Sequence, residues 1–181
     1  MKCLKDVSPI CTVSSVYNYN SHAWALLDKY VEKLKAFFAD KLKAVAIFGS
    51  LARGKAIFPG SDIDVLIVIK GMENLSFGER IKLTMRVEKE LEKTSNFKEV
   101  FVWPPSIQEI ILTPEELKAH PPILLDLTTD AVILYDAGIL SDELEKLRGR
   151  LKDLGAKKIR TGDSWFWILK PDLKLGEEVE L

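Results

Sequence analysis

Apolar and polar positions recur along the chain with two different periods, and the changes of period predict its helices and strands. From Ser21 onward apolar side chains recur at helical spacing, whereas residues 43–48 and 62–69 are short apolar runs flanked by glycine, as is typical of strands. The predicted strands are residues 43–48, 62–69, 97–103, 107–112 and 131–135. The predicted longer helices are residues 21–41, 77–93 and 141–154. This alternation predicts an α/β or α+β fold with a mixed sheet flanked by helices.

Helix-capping residues refine these boundaries, and changes of pattern divide the chain into three parts. Ser50 and Ser141 stand where helix caps are expected, and Thr113 opens a capping box. Three parts are predicted: an irregular arm over residues 1–20, a main domain over 21–113, and a smaller extension over 114–181 that packs on it. Within the extension, residues 123–127 are ambiguous between helix and strand. Its last segment is predicted to form a strand or hairpin in which Trp165 and Trp167 share one face, a pattern that favours aromatic core over a stacking surface.

Composition restricts the classes of partner. The net charge of −1 gives no global attraction to nucleic acid or to an anionic membrane. The two cysteines, Cys3 and Cys11, suggest neither a disulfide scaffold nor a zinc site. We see no secretory signal and no run long enough to span a bilayer, so the sequence predicts a cytoplasmic enzyme or binding protein.

Two aspartates at the start of an apolar strand need a physical reason, because aspartate is a poor strand former. Residues 62–69 read DIDVLIVI, apolar on both faces after the first three positions, which predicts a central strand. Side chains alternate across a strand, so Asp62 and Asp64 share a face while Ile63 points to the opposite layer. Carboxylates whose α-carbons lie about 6.5 Å apart repel each other unless a cation sits between them, and Mg²⁺ is such a cation.

Gly49-Ser50 offers the complementary half of a phosphate site. Glycine permits close approach of a phosphate to the backbone, and free N–H groups at a helix start attract anions. Arg53 and Lys55 add positive charge nearby. For this segment to meet the two aspartates, the strands at residues 43–48 and 62–69 must run antiparallel, so that the end of one lies beside the start of the other.

The stretch GSLARGKAIFPGSDIDVLIV resembles the G-S-x-x-R-G…S-D-x-D signature of the DNA polymerase beta-like nucleotidyltransferase superfamily. It is most similar to the small archaeal and bacterial minimal nucleotidyltransferases and to those of the kanamycin nucleotidyltransferase type. The resemblance implies that residues 21–113 form the catalytic domain and that ATP or another nucleoside triphosphate binds with two Mg²⁺ ions. It assigns the metals to Asp62 and Asp64. The implied nucleotide-binding residues are Gly49, Ser50, Arg53 and Ser61.

Members of this superfamily carry a third carboxylate on a later strand. The favoured candidate here is Glu109, whose strand runs directly into the Thr113 helix start, and the rival is Glu99. A glutamate at this position departs from the commoner aspartate.

The resemblance implies transfer of a nucleoside monophosphate, AMP from ATP in the leading interpretation, to an acceptor hydroxyl with release of pyrophosphate. The acceptor is left open between a small molecule and a protein, and the absence of a basic and aromatic stripe argues against a polynucleotide. The alternative is a catalytically weak nucleotide-binding or partner-binding protein, such as the antitoxin-like partner of a small helical toxin.

Overall fold

The computed structural model describes residues 13–58, 60–93, 105–162 and 164–181. Its helices are α1 (Val13–Phe38), α2 (Gly49–Ala52), α3 (Phe77–Glu92), α4 (Pro114–Lys118), α5 (Ile123–Asp130) and α6 (Ile139–Asp153). Its strands are β1 (Leu42–Phe48), β2 (Ile63–Ile69), β3 (Ile107–Leu112), β4 (Val132–Asp136), β5 (Lys157–Thr161) and β6 (Ser164–Ile168). Among the described residues, none of the helices combines the length and the apolar character needed to cross a membrane.

A four-stranded mixed sheet forms the centre of the molecule. Its strand order is β3-β2-β1-β4, with β1 antiparallel to both of its neighbours and β2 parallel to β3. Helices cover both faces: α1 and α3 pack against one, and α4, α5 and α6 against the other. The predicted mixed α/β architecture is therefore confirmed, as is the central position of β2, from which Val65 to Ile69 have no solvent exposure.

Several boundaries differ from the sequence-based expectation. The helix α1 begins at Val13, so residues 13–20 are helical and do not belong to an irregular arm. Strand β4 lies in the main sheet beside β1, so the sheet continues past residue 113. Residues 123–127, ambiguous from sequence, form the first part of α5. Residues 1–12, with both cysteines, and the predicted strand at 97–103 lie outside the described residues.

The two helix caps predicted from serine are wrong, whereas the Thr113 capping box is confirmed. Phe48 precedes α2 without a side-chain cap, which leaves Ser50 inside the helix. Gly138 precedes α6, and the Asp136 carboxylate accepts from the N–H groups of Gly138, Leu140 and Ser141. A carboxylate from the preceding strand thus does the capping that the sequence assigned to Ser141.

The hairpin of β5 and β6 is a second, separate sheet that packs on α5. The indole N–H groups of Trp165 and Trp167 both donate to Asp126 Oδ1, at 2.7 and 3.2 Å. Paired strand residues point to the same side, and Lys158 pairs with Trp167 while Arg160 pairs with Trp165. One face of the hairpin therefore carries two cations and two indoles toward the rest of the molecule.

The layer between α1 and α3 contains acidic side chains whose ionisation should make stability depend on pH. Burial raises the pKa of Glu88 from 4.5 to about 7, and the charges of Glu109 and Glu92 add to the shift. A raised folded-state pKa favours folding when the group is protonated. This contribution is complete below the unfolded pKa and is lost as the pH rises through the folded one.

We expect Glu88→Gln to weaken the pH dependence of stability. Between pH 5 and pH 8 the wild type should lose about 1–2 kcal/mol more unfolding free energy than the variant, after allowance for solvent screening. Denaturant titrations at the two pH values measure this difference. Equal pH dependence in the two proteins would show that Glu88 ionises alike in the folded and unfolded chains.

Candidate functional site

The end of β1 and the start of β2 meet at one edge of the sheet. In the antiparallel register Phe48 lies opposite Asp64, so the chain enters Gly49 and α2 directly beside the aspartates. This confirms the antiparallel pairing that the sequence required. Ile63 is fully buried in the layer under α1 and α3, as its position between the aspartates predicted.

Gly49 is in close contact with the Asp64 side chain. A Cβ atom built on Gly49 would lie 1.9 Å from Asp64 Oδ2, a separation that no side chain could accept. The residue also has a φ of +71°, in the left-handed region that glycine adopts without a steric penalty. Both observations favour glycine here, because any other residue would displace the Asp64 carboxylate or the start of α2 and would adopt a strained backbone conformation.

The Asp64 carboxyl lies close enough to Asp62 to be affected by its charge. Asp62 is exposed and Asp64 is half-buried. Burial raises the pKa of the Asp64 carboxyl, the negative charge of Asp62 raises it further, and the Arg53 guanidinium opposes both effects. Neighbouring carboxylates that resist simultaneous ionisation are a donor set that a hard divalent cation would stabilise. The residues present therefore fit a Mg²⁺ ion whose remaining ligands come from a substrate.

The two serines of the motif occupy different positions. Ser50 lies half-buried in the first turn of α2, where helix N–H groups have no partner within the helix. Its carbonyl accepts from Lys55 N–H at 2.8 Å and closes the turn that follows. The Ser61 hydroxyl accepts from Ile57 N–H at 2.9 Å, which ties together the loop before Asp62.

Arg53 links the aspartate pair to a neighbouring cavity. Its guanidinium lies 3.5 Å from Asp130 Oδ2 and 4.7 Å from the centre of the Trp165 ring. A cavity of about 400 Å³, here called the hairpin cavity, opens beside it. Its lining includes Arg53, Lys55, Asp130, Lys158, Arg160 and Trp165. Sequence reasoning missed Asp130, Lys158 and Arg160, although the alternation of Lys158 and Arg160 along β5 was a signal that one strand face carries both cations.

Glu109 is not at this site, and its prediction as a metal ligand needs correction. In the parallel register Glu109 pairs with Val65, whose side chain lies in the layer under α1 and α3, opposite Asp64. The Glu109 carboxylate accepts hydrogen bonds from the hydroxyls of Tyr30 and Thr84. Burial raises the pKa of Glu109, partly offset by these two hydrogen bonds. Its environment is that of a half-buried structural carboxylate.

Gln108 occupies the position on β3 that pairs with Asp64. Its side-chain amide donates to Ser106 Oγ at 2.8 Å. Within the described part of the chain, no group of three or more His, Cys, Asp or Glu side chains is placed to hold a metal ion. The rival candidate Glu99 lies outside the described residues. Asp62 and Asp64 are therefore the carboxylates that the described structure brings together beside Gly49.

This correction predicts the effect of Glu109→Gln. Because the side chain faces the opposite layer, we expect the variant to change the free energy of unfolding while its affinity for Mg²⁺ stays within about twofold of the wild type. Gln108→Glu is the matched variant, since it adds a third carboxylate on the face of Asp64 and should strengthen Mg²⁺ binding. Activity assays and Mg²⁺ titrations of both proteins check the prediction. A loss of about 100-fold in Mg²⁺ affinity or in activity for Glu109→Gln would show that Glu109 is a metal ligand after all.

Comparisons with known proteins connect this geometry with one family. The model of the nucleotidyltransferase domain family matches residues 27–160, which is more than half of the chain. A Methanocaldococcus jannaschii protein that carries the provisional name of protein adenylyltransferase is 27% identical over 130 residues, covering 70% of this chain and 82% of that protein.

Similar solved structures were also found. A crystal structure of a provisionally assigned nucleotidyltransferase from Sulfolobus solfataricus is 24% identical with a TM-score of 0.47, covering 67% of this chain and 87% of the other. A structure of the complex of tri-AMPylated Shewanella oneidensis HEPN toxin with MNT antitoxin contains a chain that is 13% identical with a TM-score of 0.40, with 71% of this chain and 91% of the other covered.

Proposed function

Because the chain belongs to the nucleotidyltransferase domain family and is a nucleotidyltransferase, we propose that it transfers AMP from ATP to a hydroxyl group of a protein and releases pyrophosphate. The observation that supports this most directly is the contact between the Gly49 backbone and Asp64, with Asp62 two residues earlier, just before β2. That contact brings the start of α2, which would bind phosphate in this proposal, and the two carboxylates to one edge of the sheet.

Asp62 and Asp64 would hold Mg²⁺ in this proposal. The ion is typically bound by one or two carboxylates together with substrate phosphates, which suits a pair that lacks a third carboxylate among the described residues. When bound, Mg²⁺ neutralises phosphate charge and orients the phosphorus for in-line attack. We assign one ion to these two side chains and assign no ligand to a second ion.

The segment from Gly49 to Arg53 would bind the phosphates. The first-turn N–H groups of α2 and the Ser50 hydroxyl are donors, and Arg53 adds a positive charge that already acts on Asp64. In the reaction, the acceptor oxygen forms a bond to the α-phosphorus. The bond from that phosphorus to the oxygen bridging to the β-phosphate breaks, pyrophosphate leaves, and the hydroxyl proton passes to water.

The choice of a protein as acceptor is supported by the similarity to the M. jannaschii protein, whose provisional name describes protein adenylylation. The choice of ATP rests on the same relative. A small-molecule acceptor is the main competing outcome, and separating labelled products by size distinguishes the two.

Transfer of label from ATP tests the proposal. The protein is incubated with Mg²⁺, a cell lysate and ATP labelled at either the α- or the γ-phosphate. Label from the α-position should appear on a protein, label from the γ-position should not, and chelation of Mg²⁺ should abolish the signal. An excess of unlabelled GTP, CTP or UTP should compete less well than ATP.

Three results would contradict the proposal in different ways. Transfer of γ-label would indicate a phosphotransferase. Transfer of α-label to a small molecule alone would correct the acceptor. Magnesium-dependent binding of ATP without any transfer would favour the alternative, a nucleotide-binding protein with little or no activity. The observation that favours this alternative is that Gln108, an amide and not a carboxylate, pairs with Asp64 on β3.

A further inference from the structure

The hairpin cavity is positively charged, and its charge is not balanced by the described residues that line it. Four cationic side chains, Arg53, Lys55, Lys158 and Arg160, surround about 400 Å³ of space with Asp130 as an acidic neighbour. No part of the proposed function assigns the hairpin residues a role.

The acidic side chains near the cavity hold two of the four cations. Asp130 pairs with Arg53 at 3.5 Å and with Lys158 at 3.2 Å, and Asp126 lies 3.4 Å from Lys158. No carboxylate of the described residues forms an ion pair with Lys55 or Arg160. Two cations therefore face the cavity in excess, which favours a ligand that carries at least two negative charges.

Trp165 contacts the two ion-paired cations, Arg53 and Lys158, and its ring is therefore not free to stack on a base. The Arg53 guanidinium lies 4.7 Å from the centre of its ring, and the Lys158 ammonium lies 4.8 Å from it. The indole N–H is already donated to Asp126. Such contacts keep cationic groups in place at low conformational cost, which prepares the cavity for an anion.

Arg53 connects the surroundings of the aspartate pair with the cavity, because its backbone N–H donates to the Gly49 carbonyl at 3.2 Å while its side chain lines the cavity. This side chain acts electrostatically on Asp64 and also lines the cavity. Lys55 follows it by two residues, after the turn that Ser50 closes. A polyanion whose first phosphate lies beside Asp64 would therefore extend its next phosphates along Arg53 and into the cavity.

We propose that the hairpin cavity binds the β- and γ-phosphates of the nucleoside triphosphate, and hence the departing pyrophosphate, with Lys55 and Arg160 as its binding cations. This inference rests on the proposed function. It makes the β5–β6 hairpin a specificity element, because a nucleoside monophosphate has no group that reaches Lys55 and Arg160.

Binding of ATP, AMP and inorganic pyrophosphate, measured calorimetrically at a fixed Mg²⁺ concentration, tests the inference. In Arg160→Gln and Lys55→Gln, affinity for ATP and pyrophosphate should fall about tenfold each, while affinity for AMP stays within about twofold. Lys157→Gln is the matched control, since Lys157 lies on the same strand and pairs with Ile168 on the outer face. It should change none of the three affinities.

The outcomes separate this inference from the proposed function. If the wild type binds ATP but both variants bind ATP, AMP and pyrophosphate as the wild type does, the inference is overturned and the proposed function stands. An equal loss for ATP and AMP also overturns it, because the cations would then contact the nucleoside part. If the wild type binds no nucleotide in the presence of Mg²⁺, the proposed function itself fails. Circular dichroism of each variant confirms that the hairpin change has not unfolded the protein.

Discussion

Replacing Asp64 by asparagine should lower AMP transfer by a factor of at least about 1,000 while the protein unfolds no more easily than the wild type. The activity should fall because the amide cannot supply the negative charge that, in the proposed function, would hold Mg²⁺ beside Gly49. The stability should not fall, because burial and the neighbouring Asp62 disfavour the ionised carboxylate in the folded chain. Asparagine removes that unfavourable charge without changing the size of the side chain.

The pH dependence gives the sign of the stability effect. The raised pKa of Asp64 means that the folded state binds its proton more tightly than the unfolded state does. Its ionisation therefore reduces stability as the pH rises, and at pH 7 the asparagine variant should unfold at the same temperature as the wild type or at a higher one. Functional residues often show this combination of lower activity and higher stability.

Initial rates of α-label transfer and thermal unfolding with and without Mg²⁺–ATP are the measurements. Wild-type protein should gain melting temperature from Mg²⁺–ATP by ligand linkage, and Asp64→Asn should gain much less. Asp153→Asn, an exposed change at the end of α6, is the control and should behave as the wild type. If Asp64→Asn retained more than a tenth of the wild-type activity, the Asp64 carboxylate would not be needed for the reaction.

The motif around the site was readable from sequence because each of its constraints is local. Alternation along a strand requires Ile63 and Asp64 to face opposite layers, and an apolar run on both faces requires β2 to be central. The antiparallel pairing of β1 and β2 followed from the need to bring Gly49 and Asp64 to one edge. The structure confirms each of these points.

The third carboxylate could not be predicted in the same way, since it depends on register. Gln108 and Glu109 are neighbours in the chain, and a shift of one residue between β2 and β3 decides which of them shares the face of Asp64. No local feature fixes that shift. Tyr30 and Thr84 donate hydrogen bonds to Glu109 in the opposite layer, and both come from helices that are distant from β3 in sequence.

The hairpin cavity could not be predicted from the sequence, for a similar reason. The alternation of Trp165 and Trp167 correctly indicated one strand face, but their role as a support for cations depends on α5, which supplies Asp126. Residues 123–127 were ambiguous by periodicity, so nothing in the sequence placed that carboxylate under the indoles. The position of Asp126 beside the indoles thus depends on how residues 123–127 pack against the hairpin, which is distant in sequence.

Gly49→Ala should also reduce AMP transfer, through displacement of the carboxylate and not through loss of its charge. The added methyl group would lie 1.9 Å from Asp64 Oδ2, so the carboxylate or the start of α2 must move. The positive φ of Gly49 adds a backbone cost of about 1–2 kcal/mol for an L-residue. We expect a loss of activity of at least about 100-fold, because misplacement of a reacting group by about 1 Å already costs that much.

Gly71→Ala is the control that distinguishes the effect of the contact with Asp64 from the cost of the positive φ. Gly71 follows the far end of β2 with a φ of +86°, and a Cβ atom there would meet nothing within 4 Å. Gly71→Ala should lose only the free energy of unfolding that the positive φ costs, and Gly49→Ala should lose at least as much because of the added contact with Asp64. Only Gly49→Ala should lose Mg²⁺–ATP binding and transfer. Denaturant titration, Mg²⁺–ATP calorimetry and the α-label assay on the two proteins measure the three quantities. Full transfer activity in Gly49→Ala would mean that the close approach of this backbone to Asp64 is not needed for the reaction, and the site would have to be sought elsewhere.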